Sequence, residues 1–334
     1  MQVVAPVVKH DKVIPASAIV KAVLSVTGPR GAAEHKILRG TGIFISDLKP
    51  ELLVSPAQLL TLFTNAQNYA NGPDIAFQIG KSMATAHLTG TWHGVGSCHN
   101  VLDALQMITR FRWHFCPLMS VSIYAGKGRR VLAFQDPFGC GKLWPFVTQL
   151  YGAFFVSLFR YWLGQRLACN FRFNFSRPRH VHEYEAHLGF RLAFDQPMLS
   201  IQLEMRELKR AFPKRDAFYR HALLTHLQEN AAVCVSLLDV VREQIASRPG
   251  CTLSSLASQL NYSPATLKRK LKDHQTTFSE LNDQVRRQQA IYLLSVQKLN
   301  NEQSALQMAF TDLPNFRRAV KRWTGHTPSE LREV

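Results

Sequence analysis

A serine followed by proline opens the segment Ser263-Pro264-Ala265-Thr266-Leu267-Lys268-Arg269-Lys270-Leu271-Lys272, and nothing else in the chain limits the fold so tightly. Serine at an N-cap accepts a backbone N–H that the first helical turn leaves unpaired, and proline at the first position gives up an N–H that has no partner there. Leu267 and Leu271 then stand one turn apart while Lys and Arg fill the other face. Such a helix packs on one side and faces a polyanion on the other. A second segment, Asn315-Phe316-Arg317-Arg318-Ala319-Val320-Lys321-Arg322-Trp323, repeats the pattern with Phe316, Val320 and Trp323 inward. Each follows a short helical stretch and a turn, which predicts two helix-turn-helix units in tandem.

In the first unit, at 253–274, Thr252 or Ser254 caps a helix carrying Leu253, Leu256, Ala257 and Leu260. Asn261-Tyr262 makes the turn, asparagine being at ease in a left-handed conformation. Ala265, Lys268 and Arg269 are left near the exposed N-terminal half, the part of a recognition helix that enters the major groove. Lys and Arg there reach guanine O6 and N7, and a small Ala touches a thymine methyl. Lys270 and Lys272 are placed for phosphates. Residues 277–294, with Phe278, Leu281, Val285, Ala290, Leu293 and Leu294 on a helical period, read as a linker helix. The second unit, at 301–324, turns at Ala309-Phe310-Thr311-Asp312 and leaves Asn315, Arg317 and Arg318 outward, with Lys321 and Arg322 beside them.

The formal charge of +17 points to an anionic partner, but its distribution does not locate the interface. Residues 234–334 hold 14 Lys and Arg against 9 Asp and Glu, and the larger excess lies before them. Local clustering is what discriminates: Lys268, Arg269, Lys270 and Lys272 stand against Asp273 alone. The six cysteines have no close pair and no zinc-finger spacing, which suits a reducing cytosol. The first residues lack the features of a signal peptide, so a cytoplasmic protein is expected. The aromatic run Leu143 to Leu163 is interrupted by Thr148, Gln149, Ser157 and Arg160, which favours a buried helix over a membrane span.

Ahead of the basic units the patterns alternate. Residues 1–16 read as a flexible tail and 17–210 as an α+β domain. Within it Ser55 caps a helix to Tyr69 with Pro56 at its first position. Leu118 to Tyr124 and Arg130 to Gln135 flank Ala125-Gly-Lys-Gly128 as a hairpin, and Phe171, Phe173 and Phe175 alternate as in a strand. A charged helix is expected from Leu203. Residues 211–230 read as a helical connector and 231–334 as an all-α DNA-binding domain, opened by a helix over 231–247 and stopped by Pro249-Gly250.

The C-terminal hundred residues resemble the AraC/XylS family of bacterial transcription regulators. The likeness rests on Leu256-Ala257, Ser263-Pro264, Leu267, Arg269, Leu271, Phe278, Arg286, Ala290 and Leu294, then Ala305, Phe310, Asp312, Phe316, Arg318, Ala319 and Lys321-Arg-Trp-Thr-Gly325-His-Thr-Pro328. Departures are Asn301 and Ser304 where aliphatic residues are usual, Ala309 in place of Gly, and Pro314 at a position that is often polar. Asn174-Phe-Ser-Arg-Pro178, Tyr184, Leu188-Gly-Phe-Arg-Leu-Ala-Phe194, Met198-Leu-Ser and Leu203-Glu-Met-Arg resemble the arabinose-binding-like N-terminal domain of such regulators. The resemblance implies double-stranded DNA and RNA polymerase as partners, a homodimer, and a small-molecule effector or a dimerisation role for the N-terminal domain. It does not imply a sugar.

Arg160, between Phe159 and Trp162, is the candidate for pairing an effector carboxylate, and a hydrophobic acid is the class it suggests. A core role for these aromatics is the competing reading. His93, Cys98 and His99 lack a fourth metal ligand. Phe138-Gly-Cys-Gly-Lys142 resembles a phosphate loop without its full pattern. No catalytic constellation is present, and neither a cofactor, a metal, a membrane nor an enzymatic activity is expected.

Overall fold

The computed structural model describes residues 6–86, 90–230, 235–248 and 250–333. An N-terminal α+β region is followed by a C-terminal region built from helices. At the centre of the former lies a five-stranded sheet made of β3 (Ser120–Gly126), β4 (Arg129–Gln135), β5 (Asn170–Arg172), β6 (Leu192–Ala193) and β7 (Ser200–Glu204), in the order β3-β4-β7-β5-β6. All neighbours are antiparallel except β5 and β6. Two short strands, β1 (Ile14–Pro15) and β2 (Leu53–Val54), pair apart from it.

Strand side chains alternate between faces, so the register assigns each residue to a side. On one face stand Val121, Leu132, Phe134, Phe171 and Ile201, and against them packs the Trp144–Leu163 helix. That helix is the aromatic run of the sequence, and fourteen of its residues are buried, Thr148 and Gln149 among them. Two of its buried polar side chains are satisfied inside: Thr148 donates to the Trp144 carbonyl at 2.8 Å, and Gln149 donates to the Tyr184 hydroxyl at 2.7 Å. The Ile75–Ala86 helix lies against its other side at Gly80, where a Cβ would come within 2.0 Å of the Leu150 carbonyl. No described helix is long and apolar enough to cross a membrane.

The opposite face of the sheet carries Ser120, Ser122, Tyr124, Gln135, Val131, Ser200 and Gln202. It is covered by the C-terminal region. The linker helix, Phe278–Ile291, and the π-helical turn Tyr292–Val296 that continues it lie across this face. Gln135 donates to Gln288 at 2.7 Å, Gln288 in turn to the Tyr124 hydroxyl, and the Tyr124 and Tyr292 rings sit 4.9 Å apart.

The C-terminal helices pack around two apolar clusters that share the linker helix. Its first half gives Leu281 and Val285 to a cluster with Leu237, Val241, Leu256, Leu267 and Leu271. Beyond Val285 the chain gives Ala290, Leu293 and Leu294 to a second cluster with Ala305, Phe316, Val320 and Trp323. Each fully buried Leu or Phe is worth ~1.5–3 kcal/mol of transfer free energy.

Three expectations are corrected. From Val7 onward the supposedly loose tail is held: Val7 bridges Ser236 in parallel, with N–H···O distances of 2.8 and 2.9 Å, and Ile14 and Ala16 are buried. Apolar residues spaced irregularly gave no period to read, yet each finds a partner. The helix expected from residue 231 begins at Leu237, because Ser236 caps it through Asp239 N–H at 3.1 Å; residues 231–234 lie outside the described residues. Leu203 belongs to β7, and only Met205–Leu208 turns helical.

Candidate nucleic-acid interface

Two helix pairs carry the basic segments. In the first, Leu253–Gln259 is capped by Thr252 and Pro264–Asp273 by Ser263, whose Oγ accepts the Thr266 N–H at 3.1 Å. Asn261 adopts φ 55°, the left-handed turn its side chain tolerates. Leu267 and Leu271 are buried, and Ala265, Lys268, Arg269 and Lys272 are exposed. None of the three cations has an ion pair among the described residues. Lys270 is half-buried, its Nζ 5.2 Å from the centre of the Tyr262 ring, so part of its reach is spent on that contact.

In the second pair, Asn301–Gln307 is capped by Asn300 and Leu313–Thr324 by Asp312. Ala309 holds the turn at φ 59° without the freedom of glycine. Arg317 and Lys321 are exposed, whereas Asn315 and Arg318 are tied to each other: Arg318 donates to Asn315 Oδ1 at 2.6 Å, and Asn315 donates to Asp312. Arg322 lies over Trp323 and 3.9 Å from Asp283 of the linker helix, to which Trp323 Nε1 also donates at 3.0 Å. Asn301 accepts from Arg332 at 2.7 Å, but the fully buried Ser304 hydroxyl has no partner among the described residues.

The loop at 136–141 has a use unrelated to phosphate. Its amides are consumed by Asp136, whose carboxylate accepts from Phe138 and Gly139 at 2.9 Å and from Cys140 at 2.5 Å. So organised, the loop meets the end of the Pro264–Asp273 helix: the Phe138 ring lies 6.2 Å from the His274 imidazole. Burial pushes the His274 pKa down, a hydrogen bond to the Lys270 carbonyl opposing it. Arg242, buried, bridges the two regions by donating to the Asp136 carbonyl at 2.8 Å and to Asp239 at 3.2 Å. Arg112 reaches Asp239 from the N-terminal side at 2.5 Å, and Ser120 donates to the same carboxylate at 2.8 Å. These contacts went unseen in the sequence because isolated Arg, Ser and Gln carry no period.

The effector trio does not converge. Phe159 is fully buried beside Phe155 and Phe212, Trp162 is buried, and Arg160 points outward from the same helix. Consecutive helical residues fan around the axis, so a Phe-Arg-Tyr-Trp string cannot line one pocket. Of the metal candidates, Cys98 is buried and its thiol is pushed up to about 12 by burial, His99 is exposed, and the His93 side chain lies outside the described residues. Asp74, Glu183 and His187 do place ligand atoms within 4.8 Å of one another, unpredicted from the sequence. Both Asp74 oxygens are already taken by Arg30 at 2.9 Å.

A basic helix face, capped and backed by its own apolar cluster, defines a DNA-binding protein of the helix-turn-helix class. The comparisons with known proteins agree. A model described as "Helix-turn-helix domain" matches residues 256–333, and one described as "Arabinose-binding domain of AraC transcription regulator, N-term" matches residues 31–212, more than half of the chain. The chain belongs to the AraC family of DNA-binding transcription regulators. It is 25% identical to the ornithine utilization regulator of Pseudomonas aeruginosa over 318 residues, 90% of this chain and 93% of that protein. It is 30% identical to the HTH-type transcriptional regulator GadX of Escherichia coli K12 over 118 residues, 35% of this chain and 42% of GadX. The crystal structure of the transcriptional regulator CdpR from Pseudomonas aeruginosa aligns over 82% of this chain and 96% of its own with a TM-score of 0.34 and 21% identity.

Proposed function

We propose that this regulator reads DNA with two tandem helix-turn-helix units, which the linker helix sets into successive major grooves about 34 Å apart. The observation that carries the reading is the first basic helix: capped by Ser263, buried at Leu267 and Leu271, and exposed at Ala265, Lys268 and Arg269 on its N-terminal half. Lys268 and Arg269 contact guanine edges and Ala265 a thymine methyl. Asn315, Arg317 and Arg318 read bases from the second unit, Arg317 with the freest side chain. Lys270, Lys272, Lys321 and Arg322 grip phosphates. Arg269→Ala is expected to weaken binding to a genome-selected fragment by ~1–3 kcal/mol and to relax sequence preference in one half of the site. Unaltered binding and preference would refute the assignment.

The N-terminal domain governs these readers, because it holds the linker helix through Gln288 and Tyr124 and the Leu237–Ser247 helix through Asp136 and Arg242. A small-molecule effector acts by favouring one arrangement of this contact, a population shift. A hydrophobic carboxylic acid is one class. A relative named for ornithine utilization puts an amino acid beside it. The second reading makes the N-terminal domain a dimerisation or protein-contact module without ligand, and Phe190 and Phe218, 86% and 84% exposed, favour it. Activation through RNA polymerase and homodimerisation follow from the family.

A further inference from the structure

We propose that the cleft between the polar face of the N-terminal sheet and the linker helix is a ligand site for a small carboxylate. The proposal rests on the regulator reading above and adds to it a place and a chemistry. The cleft encloses about 760 Å³, within the range of small-molecule sites. One wall is the sheet edge with Ser122 and Tyr124, a second is the Arg110–Trp113 corner, and the third is the linker helix with Gln289 and Tyr292.

Its electrostatics select the ligand. At its base two guanidinium groups, Arg112 and Arg242, share the single carboxylate of Asp239. A third, Arg110, lines the cleft, exposed, and holds no ion pair among the described residues. Glu243 is the remaining charged group of the lining and is exposed, which leaves the cleft with one positive charge in excess. Guanidinium groups match the two oxygens of a carboxylate. Trp113, Tyr124 and Tyr292 offer ring faces for the ligand's body.

Two sources share this chemistry. A plain organic acid uses Arg110 and the rings alone; an α-amino acid also places its ammonium toward Glu243. Either touches the sheet and the linker helix at once, so it binds the docked arrangement of the two regions. By linkage, any preference of DNA for that arrangement appears as a reciprocal change in ligand affinity.

The test uses the full chain with benzoate, decanoate and L-lysine, and with benzamide as the uncharged control, read by thermal denaturation and isothermal titration. At least one carboxylate is expected to raise Tm by about 5 °C near saturation, and benzamide is not. A response to benzoate or decanoate assigns a plain acid, and a response to L-lysine alone an amino acid. Arg110→Gln, at an exposed position outside the Asp239 network, is expected to weaken that binding about tenfold. Ser122→Tyr fills the cleft and is expected to abolish it; circular dichroism confirms that each variant is folded. An equal response to benzamide, no response to any carboxylate, or undiminished binding by folded Ser122→Tyr overturns the proposal. DNA binding by the unsubstituted chain, measured without ligand, separates failure of this site from failure of the regulator reading.

Discussion

Gly139 and His274 lie so close that a Cβ on the glycine would stand 2.0 Å from the His274 carbonyl oxygen. The glycine belongs to the loop that Asp136 organises and the histidine to the end of the first basic helix, so this is where the N-terminal domain and the first basic helix pair touch backbone to backbone. The glycine also sits at φ 74°, a conformation other residues resist.

Gly139→Ala is therefore expected to undock the first helix pair. Backbone cannot yield as a flexible side chain does, so the cost is ~2–4 kcal/mol from clash and left-handed strain together. Hydrogen exchange should show loss of protection at residues 136–141 and 271–276 while the helices themselves stay protected. Unchanged exchange there would rule out the contact as a docking point.

The second helix pair carries a removable defect. Ser304 is fully buried without a hydrogen-bond partner among the described residues, so Ser304→Ala should stabilise the C-terminal region by ~1 kcal/mol. Ala309→Gly, at φ 59°, should add ~0.5–1 kcal/mol by relieving strain. Urea denaturation of both variants checks this, and a fall in stability for either would contradict it.

Phosphate contact is separable from base reading. Lys272→Ala, exposed on the helix that carries Arg269, should weaken binding by a similar factor on all sequences and lower the magnitude of the salt slope by about 1. Titrations on specific and random duplexes across a salt series distinguish this from the sequence-dependent loss expected of Arg269→Ala.

Mild acid should loosen the same docking contact. The folded pKa of His274 is depressed, by burial first and by the charge of Lys9, with the Lys270 carbonyl, Asp136 and Asp273 opposing. The unfolded or undocked chain then takes up a proton before the docked one. The stabilisation is whole above the ordinary histidine pKa of about 6.5 and is lost as pH falls through the depressed value. Protection of residues 136–141 should decline as the pH falls below about 6.5. His274→Gln should flatten that profile, and a persistent decline in the variant would place the titrating group elsewhere.

Local chemistry made much of this legible. Ser55, Thr252 and Ser263 cap the helices their neighbours announce, Asn261 turns left-handed, and the aromatic run 143–163 is a buried helix. What stayed hidden is contact between distant polar residues. Ser120, Ser122 and Gln135 alternate like a solvent-facing strand surface, and Gln288 sits on what reads as the wet side of a helix. Only their meeting turns those two surfaces into one interface. The Phe159-Arg160-Tyr161-Trp162 string misled for the opposite reason, because adjacency in sequence was taken for adjacency in space.

The π turn at Tyr292–Val296, where the Gln297 N–H reaches back to the Tyr292 carbonyl at 2.9 Å, holds one residue more than an α-helical turn would. One residue of an α-helix amounts to about 100° of rotation about its axis. The azimuth at which the last forty residues leave the linker therefore depends on that single surplus residue, pressed against the N-terminal sheet by Tyr124. Deleting it would leave both helix pairs folded and their spacing nearly intact, yet turn the second about the linker axis relative to the first.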